Sequence, residues 1–333
     1  MKNKKLESHI KTLIEESTSC VVIPHKNPDG DALGSCLALN NFLLKKGLDS
    51  FVISPNDYPI FLNWMPEESK ILNFERDSLK ASGKIENSDL IFTLDFNDLE
   101  RSGNICNTIK NAKGKIIMID HHENPKEYAD IKLSDPKIGS TCEMVFNLIN
   151  YIDSSLINSD IASCLYTGIM TDTGSFRFPS TTSSTHNIIS NLIDKGANNS
   201  KIHEYIYDTF SLNRLKLLGI ALKNLQKLDN LPHVIITLVQ SELDECLFKK
   251  GDTEGFVNYG LSVKGIELSV ILIESIEEKI IKMSFRSKGT FPVNVFAEKY
   301  FNGGGHHNAA GGVSRESMDI TKSKLINCLK KFN

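Results

Sequence analysis

The sequence predicts an α/β protein, with a doubly wound and mainly parallel sheet in its N-terminal domain and a smaller α/β domain after it. Short apolar runs alternate with stretches of helical spacing, the order typical of parallel β/α units. The runs are almost continuously apolar, as in strands that are covered on both faces. With 333 residues, the chain is long enough for two domains of ordinary size.

Four short apolar runs predict the strands of the first domain, over 21–23, 51–53, 89–95 and 115–120. Helical spacing of apolar residues predicts helices over 6–16, 32–46, 140–151, 160–170, 185–195, 201–207 and 212–228. Gly47 is expected at the C′ position of the helix that precedes it. Strands and helices in this order favour a sheet with helices on both faces.

The character of the sequence changes near 228–232, where polar residues and a proline interrupt the pattern. Beyond it, 267–275 and 279–286 are predicted as paired strands, followed by a glycine-rich run over 303–312. The expected organisation is therefore a first domain over 1–215, a helical linker over 216–232 and a second domain over 233–333.

Composition limits the classes of function. The formal net charge of −3 excludes a general positive field that would hold long nucleic acid. Seven scattered cysteines without a CxxC pair indicate neither a disulfide framework nor a zinc ribbon. The N-terminus lacks the apolar stretch of a signal peptide, and no run is long enough to span a membrane. We expect a cytoplasmic protein; its oligomeric state is not fixed by the sequence, and a homodimer stays open.

Acidic and imidazole side chains recur where predicted strands or helices end. The members of this set are His25, Asp29 and Asp31, then Asp95, then Asp120, His121 and His122, and finally Asp172. A parallel sheet brings such ends to one edge, the usual place for a ligand site. Several carboxylates with imidazoles would repel one another unless cations lay among them, and this donor set suits divalent first-row metals. The spacing therefore predicts a two-metal site.

Single residues of this set have simpler interpretations. Asp98 could be confused with Asp95, which is preferred because it directly ends an apolar run. Asp172 taken alone could be a helix cap. His121 and His122 are expected to point to opposite faces of a strand, which is hard to explain by structure alone. Arg177 stays open as a substrate contact.

These motifs, in this order, resemble the DHH phosphoesterase superfamily, named for the triplet seen at 120–122. Within it the chain is most similar to the bacterial nanoRNase (oligoribonuclease) and 3′-phosphoadenosine-5′-phosphate (pAp) phosphatase group. The segments that support this subgroup are 27–35, 140–143 and 284–287. The run 303–306 resembles the DHH-associated C-terminal domain, with Asn302 where many relatives have a further glycine.

The resemblance implies two divalent cations, with manganese favoured and magnesium or cobalt as substitutes. One would be held by His25, Asp29 and Asp95, the other by Asp31, Asp95, His121 and Asp172. Asp95 would bridge them, Asp120 would orient an imidazole, and His122 would face the phosphate.

In the second domain, the resemblance implies substrate contacts by Arg286, Gly303, Gly304, Gly305 and His306. The activity implied is hydrolysis of RNA a few nucleotides long to mononucleotides and of pAp to AMP, through a water that bridges the metals. Two alternatives stay open. One is a phosphodiesterase for linear or cyclic dinucleotides, and the other is a non-catalytic nucleotide-binding module.

Overall fold

The computed structural model describes residues 2–332, and the chain divides into two compact units between Thr209 and Phe210. The strands of the first unit are β1 (Ser19–Pro24), β2 (Asp49–Ser54), β3 (Leu72–Asn73), β4 (Leu90–Leu94), β5 (Lys115–Asp120) and β6 (Ile131–Ser134). Its α-helices are α1 (Lys2–Glu16), α2 (Gly30–Lys45), α3 (Ser78–Glu86), α4 (Cys106–Asn111), α5 (Thr141–Asp153), α6 (Ser159–Asp172), α7 (Ser183–Asp194) and α8 (Asn199–Tyr207).

The first sheet is parallel throughout, in the order β3-β2-β1-β4-β5-β6. The chain moves outward from β1 to β3 and then returns to the other side of β1 with β4. The crevice at the carboxyl ends of β1 and β4 is therefore the topological switch point, where open α/β sheets bind their ligands.

Both faces of this sheet are covered, as the apolar runs predict. On β1, Val22 packs into a core cluster that includes Leu37 of α2, whereas Val21 and Ile23 pack into a second cluster that includes Ile85 of α3. Because successive side chains of a strand point to opposite faces, a strand buried on both sides needs a continuous apolar run.

The second unit contains a mixed sheet in the order β11-β12-β10-β9-β8-β7. Its strands are β7 (Gln226–Lys227), β8 (His233–Leu238), β9 (Leu268–Ser275), β10 (Ile280–Ser287), β11 (Gly304–His306) and β12 (Ala309–Ser314). Its α-helices are α9 (Leu212–Lys223), α10 (Gln240–Glu245), α11 (Phe256–Gly260), α12 (Val293–Phe301) and α13 (Met318–Lys331). β9 and β10 form the antiparallel pair that the sequence predicts.

The helix predicted over 212–228 ends early, at Lys223. The side chain of Asn224 donates to the backbone O of Thr237 at 2.9 Å and to Glu242 at 2.8 Å, and the chain then enters β7. Residues 216–232, predicted as a linker, therefore comprise the end of α9, β7 and a turn. Within residues 2–332, no helix has the length and apolar character needed to cross a bilayer.

Candidate metal centre

The loop between β1 and α2 is fixed by a helix cap. Asp29 is the N-cap of α2, and its Oδ1 accepts the backbone N–H of Asp31 at 3.1 Å. Gly30 permits the close approach of α6, because a Cβ here would lie 2.4 Å from Oγ1 of Thr171. The cap leaves Oδ2 of Asp29 4.0 Å from Nε2 of His25. The loop therefore brings these two side chains together.

Asp31 is held by the beginning of another helix. Its side chain is almost fully buried, and its two oxygens accept backbone N–H groups of α5. Oδ2 lies 2.6 Å from N of Thr141, and Oδ1 lies 2.9 Å from N of Cys142. A helix N-terminus presents unpaired N–H groups and a positive dipole end, which together favour a carboxylate.

Asp95 lies between two imidazoles. It directly follows β4 with φ 67°, in the left-handed region that non-glycine residues rarely adopt. Oδ2 of Asp95 lies 3.5 Å from Nε2 of His25, and Oδ1 lies 3.4 Å from Nε2 of His121. The neighbouring Asp98 instead accepts the N–H of Glu100 at the start of the next turn.

The two imidazoles present the same nitrogen to the carboxylates. Nδ1 of His25 donates to the backbone O of Lys26 at 2.9 Å, and Nδ1 of His121 donates to that of Ile138 at 3.2 Å. Since a carbonyl oxygen only accepts, Nδ1 carries the hydrogen in both rings. Nε2 therefore faces the acidic cluster, as in histidines that bind metals.

Asp172 and the pair Asp120–His122 complete the cluster. Asp172 ends α6, and its Oδ2 lies 3.5 Å from Nε2 of His121. Asp120, at the end of β5, accepts from Nδ1 of His122 at 2.7 Å and from its backbone N–H at 3.1 Å. Nδ1 of His122 is also 3.7 Å from Oδ1 of Asp95. All the first-domain positions predicted from the sequence thus meet at one edge of the sheet.

The orientation expected for the two adjacent histidines is wrong. β5 ends at Asp120, so His121 and His122 lie in the loop beyond it rather than on two faces of a strand. Their rings are 5.0 Å apart and inclined at 73°, and both approach Oδ1 of Asp95. The loop places both imidazoles on the same carboxylate.

The carboxylates of the cluster repel one another. Burial, and then the charges of Asp95 and Asp172, raise the pKa of Asp31 well above its usual value. Desolvation raises the pKa of Asp172 to about 7. The charge of His121 lowers this pKa, and the charge of Asp95 raises it. Burial would also raise the pKa of Asp95, but the imidazoles of His121 and His25 hold it well below its usual range. Cations among these groups would relieve the repulsion.

The spacing of the donors fits divalent cations. Two donor atoms that each lie about 2.1 Å from one cation are roughly 3.0–3.5 Å apart. The closest carboxylate oxygens to Nε2 of His25 and His121, at 3.4–3.5 Å, have that spacing, and these distances are too long for good hydrogen bonds. Within the first unit, three sets of three donors each have their ligand atoms within 4.8 Å of one another, namely His25, Asp29 and Asp95; Asp31, Asp95 and His121; and Asp95, Asp120 and His122.

Two residues that support the centre were not predicted. Oγ1 of Thr141 donates to Oδ1 of Asp95 at 2.9 Å. Asn56, after β2, exchanges two hydrogen bonds of 2.7 Å with Asn27 in the loop between β1 and α2, one through its Oδ1 and one through its Nδ2. The spacing of Ser140 and Glu143 marks the start of a helix, but nothing in the sequence shows which carboxylates that helix contacts.

In the second unit, two of the predicted substrate residues lie in one row of the sheet. Arg286 on β10 is opposite Ala309 on β12, and Ala309 is opposite His306 on β11. Because directly opposite residues share a face, Arg286 and His306 lie on the same side, two strands and about 9–10 Å apart. The next row on this side is Ser284, Gly311 and Gly304.

We call these six residues the open face. Along β10, Met283 and Phe285 are buried on the other side, whereas Ser284 and Arg286 are partly exposed. Gly304 has open space where a Cβ would be, with no atom within 4 Å. Gly303 and Gly305 do not belong to the open face. A Cβ at these positions would point at neighbouring backbone, 1.9 Å from O of Gly311 and 2.4 Å from O of Ala309, respectively.

The fold and the cluster together define a class: a doubly wound α/β protein with a candidate metal centre of carboxylates and imidazoles, the kind of site that hydrolyses phosphoesters. Residues 19–169 match the model of the DHH family N-terminal domain, and residues 218–333 match that of the DHHA1 domain. The chain therefore belongs to the DHH phosphoesterase family, a family of metal-dependent enzymes, and is a phosphoester hydrolase. The resemblance inferred from the motifs is confirmed.

The relatives extend over most of the chain. It is 31% identical to an uncharacterized protein of Mycoplasma genitalium, covering 92% of this chain and 90% of that one. It is 28% identical to the bifunctional oligoribonuclease and PAP phosphatase NrnA of Thermus thermophilus, with 91% and 86% covered. It is 27% identical to the cyclic-di-AMP phosphodiesterase GdpP of Bacillus subtilis, covering 97% of this chain but 49% of that protein.

A solved structure has the same fold along almost the whole chain. The crystal structure of an exopolyphosphatase-related protein from Bacteroides fragilis superimposes with a TM-score of 0.96 at 38% sequence identity. The match covers 99% of this chain and 96% of that one. The α/β fold predicted from the sequence is confirmed.

Proposed function

We propose that this protein is a cytoplasmic two-metal phosphoesterase that hydrolyses RNA a few nucleotides long to mononucleotides and dephosphorylates pAp to AMP. The observation that carries the proposal is the position of Asp95, whose two oxygens face His25 and His121 at 3.5 and 3.4 Å. One carboxylate between two imidazole-containing donor groups suits a pair of cations. The NrnA relative of Thermus thermophilus, which carries both activities in its name, supports the substrates.

In this proposal His25, Asp29 and Asp95 hold one cation, and Asp31, Asp95, His121 and Asp172 hold the other. Manganese is the proposed metal, and magnesium or cobalt can replace it. When bound, two such cations activate a water molecule and neutralise charge on the phosphate.

His122 is the proposed proton donor to the leaving oxygen. Its Nδ1 donates to Asp120 at 2.7 Å, which fixes the plane of the ring and assigns proton transfer to Nε2. Asp120 is a positioning residue in this scheme, because both of its oxygens contact His122. The hydrogen bonds to Asp120 therefore leave Nε2 of His122 as the ring nitrogen that can transfer a proton.

The open face is the proposed substrate surface of the second unit. Arg286 offers a planar donor for a phosphate or carboxylate, and His306 lies in the same row. Between and beside them the face carries only small residues, which leave room for a nucleotide to approach the backbone. We propose that this face binds the part of the substrate that does not react.

The second candidate is a phosphodiesterase for linear or cyclic dinucleotides. It is supported by the 27% identity with the cyclic-di-AMP phosphodiesterase GdpP over 97% of this chain. The centre would be the same, and the difference would lie in what the open face accepts.

One comparison of rates tests both candidates. The purified protein is incubated with Mn²⁺ and, separately, pAp, a diribonucleotide, a pentaribonucleotide and a cyclic dinucleotide. We expect turnover of pAp and the diribonucleotide, whereas a preference for the cyclic dinucleotide would favour the second candidate. Binding of all four without turnover would leave only a nucleotide-binding module and would contradict the proposal.

A further inference from the structure

Thr141 contacts two of the clustered carboxylates at once. It is the first residue of α5 and is fully buried. Its backbone N–H donates to Oδ2 of Asp31 at 2.6 Å, and its Oγ1 donates to Oδ1 of Asp95 at 2.9 Å. These two acids lie on different elements, at the start of α2 and after β4. One threonine therefore donates a hydrogen bond to each of the two acids.

The direction of the hydroxyl contact is fixed by chemistry. An ionised carboxylate only accepts, so the hydroxyl of Thr141 must donate to Asp95. Each carboxylate oxygen has two lone-pair directions, so this bond leaves Oδ1 able to bind a cation beside His121. It also restrains rotation of the carboxylate, which keeps Oδ2 turned to His25.

We propose that Thr141 is a positioning residue for the metal centre, one that orients Asp95 through its hydroxyl so that the two oxygens serve two different cations. This inference rests on the proposed function for the presence of two cations. Loss of the hydroxyl weakens both halves of the centre together, because Asp95 faces both. Residues of this kind are worth about 10–100-fold in metal affinity.

A matched control separates this role from the general effect of a buried threonine. Thr167 is equally buried, and its hydroxyl donates to the backbone O of Ser163 within α6 at 2.7 Å. Thr141→Val and Thr167→Val each remove a hydroxyl and delete one side-chain hydrogen bond. Only Thr141→Val removes a hydrogen bond to a carboxylate of the cluster.

The experiment is calorimetric titration of Mn²⁺ into chelator-treated full-length protein, with thermal unfolding of each variant in parallel. We expect Thr141→Val to bind Mn²⁺ about 10–100-fold more weakly, and Thr167→Val to bind as the wild type does. Equal Mn²⁺ affinity in Thr141→Val and wild type would overturn the proposal, even if the variant were less stable.

A second pair covers the case in which Thr141→Val does not fold. Thr141→Ser and Thr141→Ala differ only in the hydroxyl and keep the backbone donor to Asp31. Serine should restore Mn²⁺ affinity and alanine should not; equal affinities of the two variants would also overturn the proposal. Because the readout is metal binding, a protein that binds Mn²⁺ but cleaves no nucleotide would contradict the proposed function without affecting this inference.

Discussion

Nε2 of His25 lies 3.5 Å from Oδ2 of Asp95, and strand pairing fixes this relationship. β1 and β4 are parallel neighbours whose register pairs the residue before His25 with the residue before Asp95. The two side chains therefore leave the sheet side by side at its switch point. The meeting of these side chains at this edge follows from the order of the strands, so variants that keep the strands can test the proposed metal centre directly.

The first prediction concerns Asp95. Replacing it with asparagine should reduce Mn²⁺ affinity and hydrolysis by more than about 100-fold, since a residue that contacts both imidazoles should matter more than a supporting partner. Circular dichroism should show an unchanged fold. Asp98→Asn is the control, because Asp98 caps a turn and is three residues away in sequence. Calorimetry and a phosphate-release assay measure both variants, and equal losses in the two would contradict the assignment of Asp95.

Much of this centre could be predicted from the sequence because its parts follow local rules. Asp95 and Asp120 directly end apolar runs, and Asp29 precedes a helix, so the topology of a parallel sheet brings them together. For the same reason, the predicted boundaries of the strand over 115–120 and of most helices lie near those observed.

The rest depends on contacts between distant segments. Thr141 and Asp31 are 110 residues apart, and no local sequence pattern predicts their hydrogen bond. β6 was missed because its four residues alternate between buried and partly buried positions, so it lacks a continuous apolar run. The helix predicted to 228 ends at Lys223 because Asn224 bonds to residues of another strand and helix, a tertiary effect that overrides helical spacing.

The second prediction concerns the two hydrogen bonds by which Asn56 restrains the loop between β1 and α2. Asn56→Ala removes both hydrogen bonds to Asn27, whose backbone is left-handed at φ 55°. We expect Mn²⁺ affinity to fall about tenfold, because the loop that carries His25 and Asp29 becomes less restrained. Asn40→Ala is the control: Asn40 is similarly buried, and it accepts a hydrogen bond from Ser50. Calorimetry should separate the two variants; similar Mn²⁺ affinities would show that the hydrogen bonds between Asn56 and Asn27 serve stability alone.

The third prediction concerns pH. In metal-free protein, the pKa of Asp172 is raised from 3.8 to about 7. A carboxyl with a raised pKa in the folded state stabilises the fold fully below its unfolded pKa, and this contribution is lost as pH rises through the folded pKa. The raised pKa of Asp31 acts in the same direction, whereas the lowered pKa of Asp95 matters only below this range. The metal-free protein should therefore lose stability between about pH 4 and pH 7.

Thermal unfolding in a chelating buffer at several pH values measures this slope. Asp172→Asn should flatten it, because the amide does not titrate, and added Mn²⁺ should raise the unfolding temperature most near neutral pH. A slope that is the same with and without the substitution would show that Asp172 does not contribute to it.

The last prediction separates two adjacent glycines. A Cβ at Gly303 would lie 1.9 Å from the backbone O of Gly311, whereas Gly304 has no atom within 4 Å of that position. Gly303→Ala should therefore lower the free energy of unfolding by about 1–3 kcal/mol, as overpacking does. Gly304→Ala should leave it unchanged and raise KM for pAp several-fold, because the new methyl group projects from the open face in the row next to that of Arg286 and His306. Denaturant unfolding and steady-state kinetics measure the two effects, and an unchanged KM in Gly304→Ala would show that substrate does not approach this face.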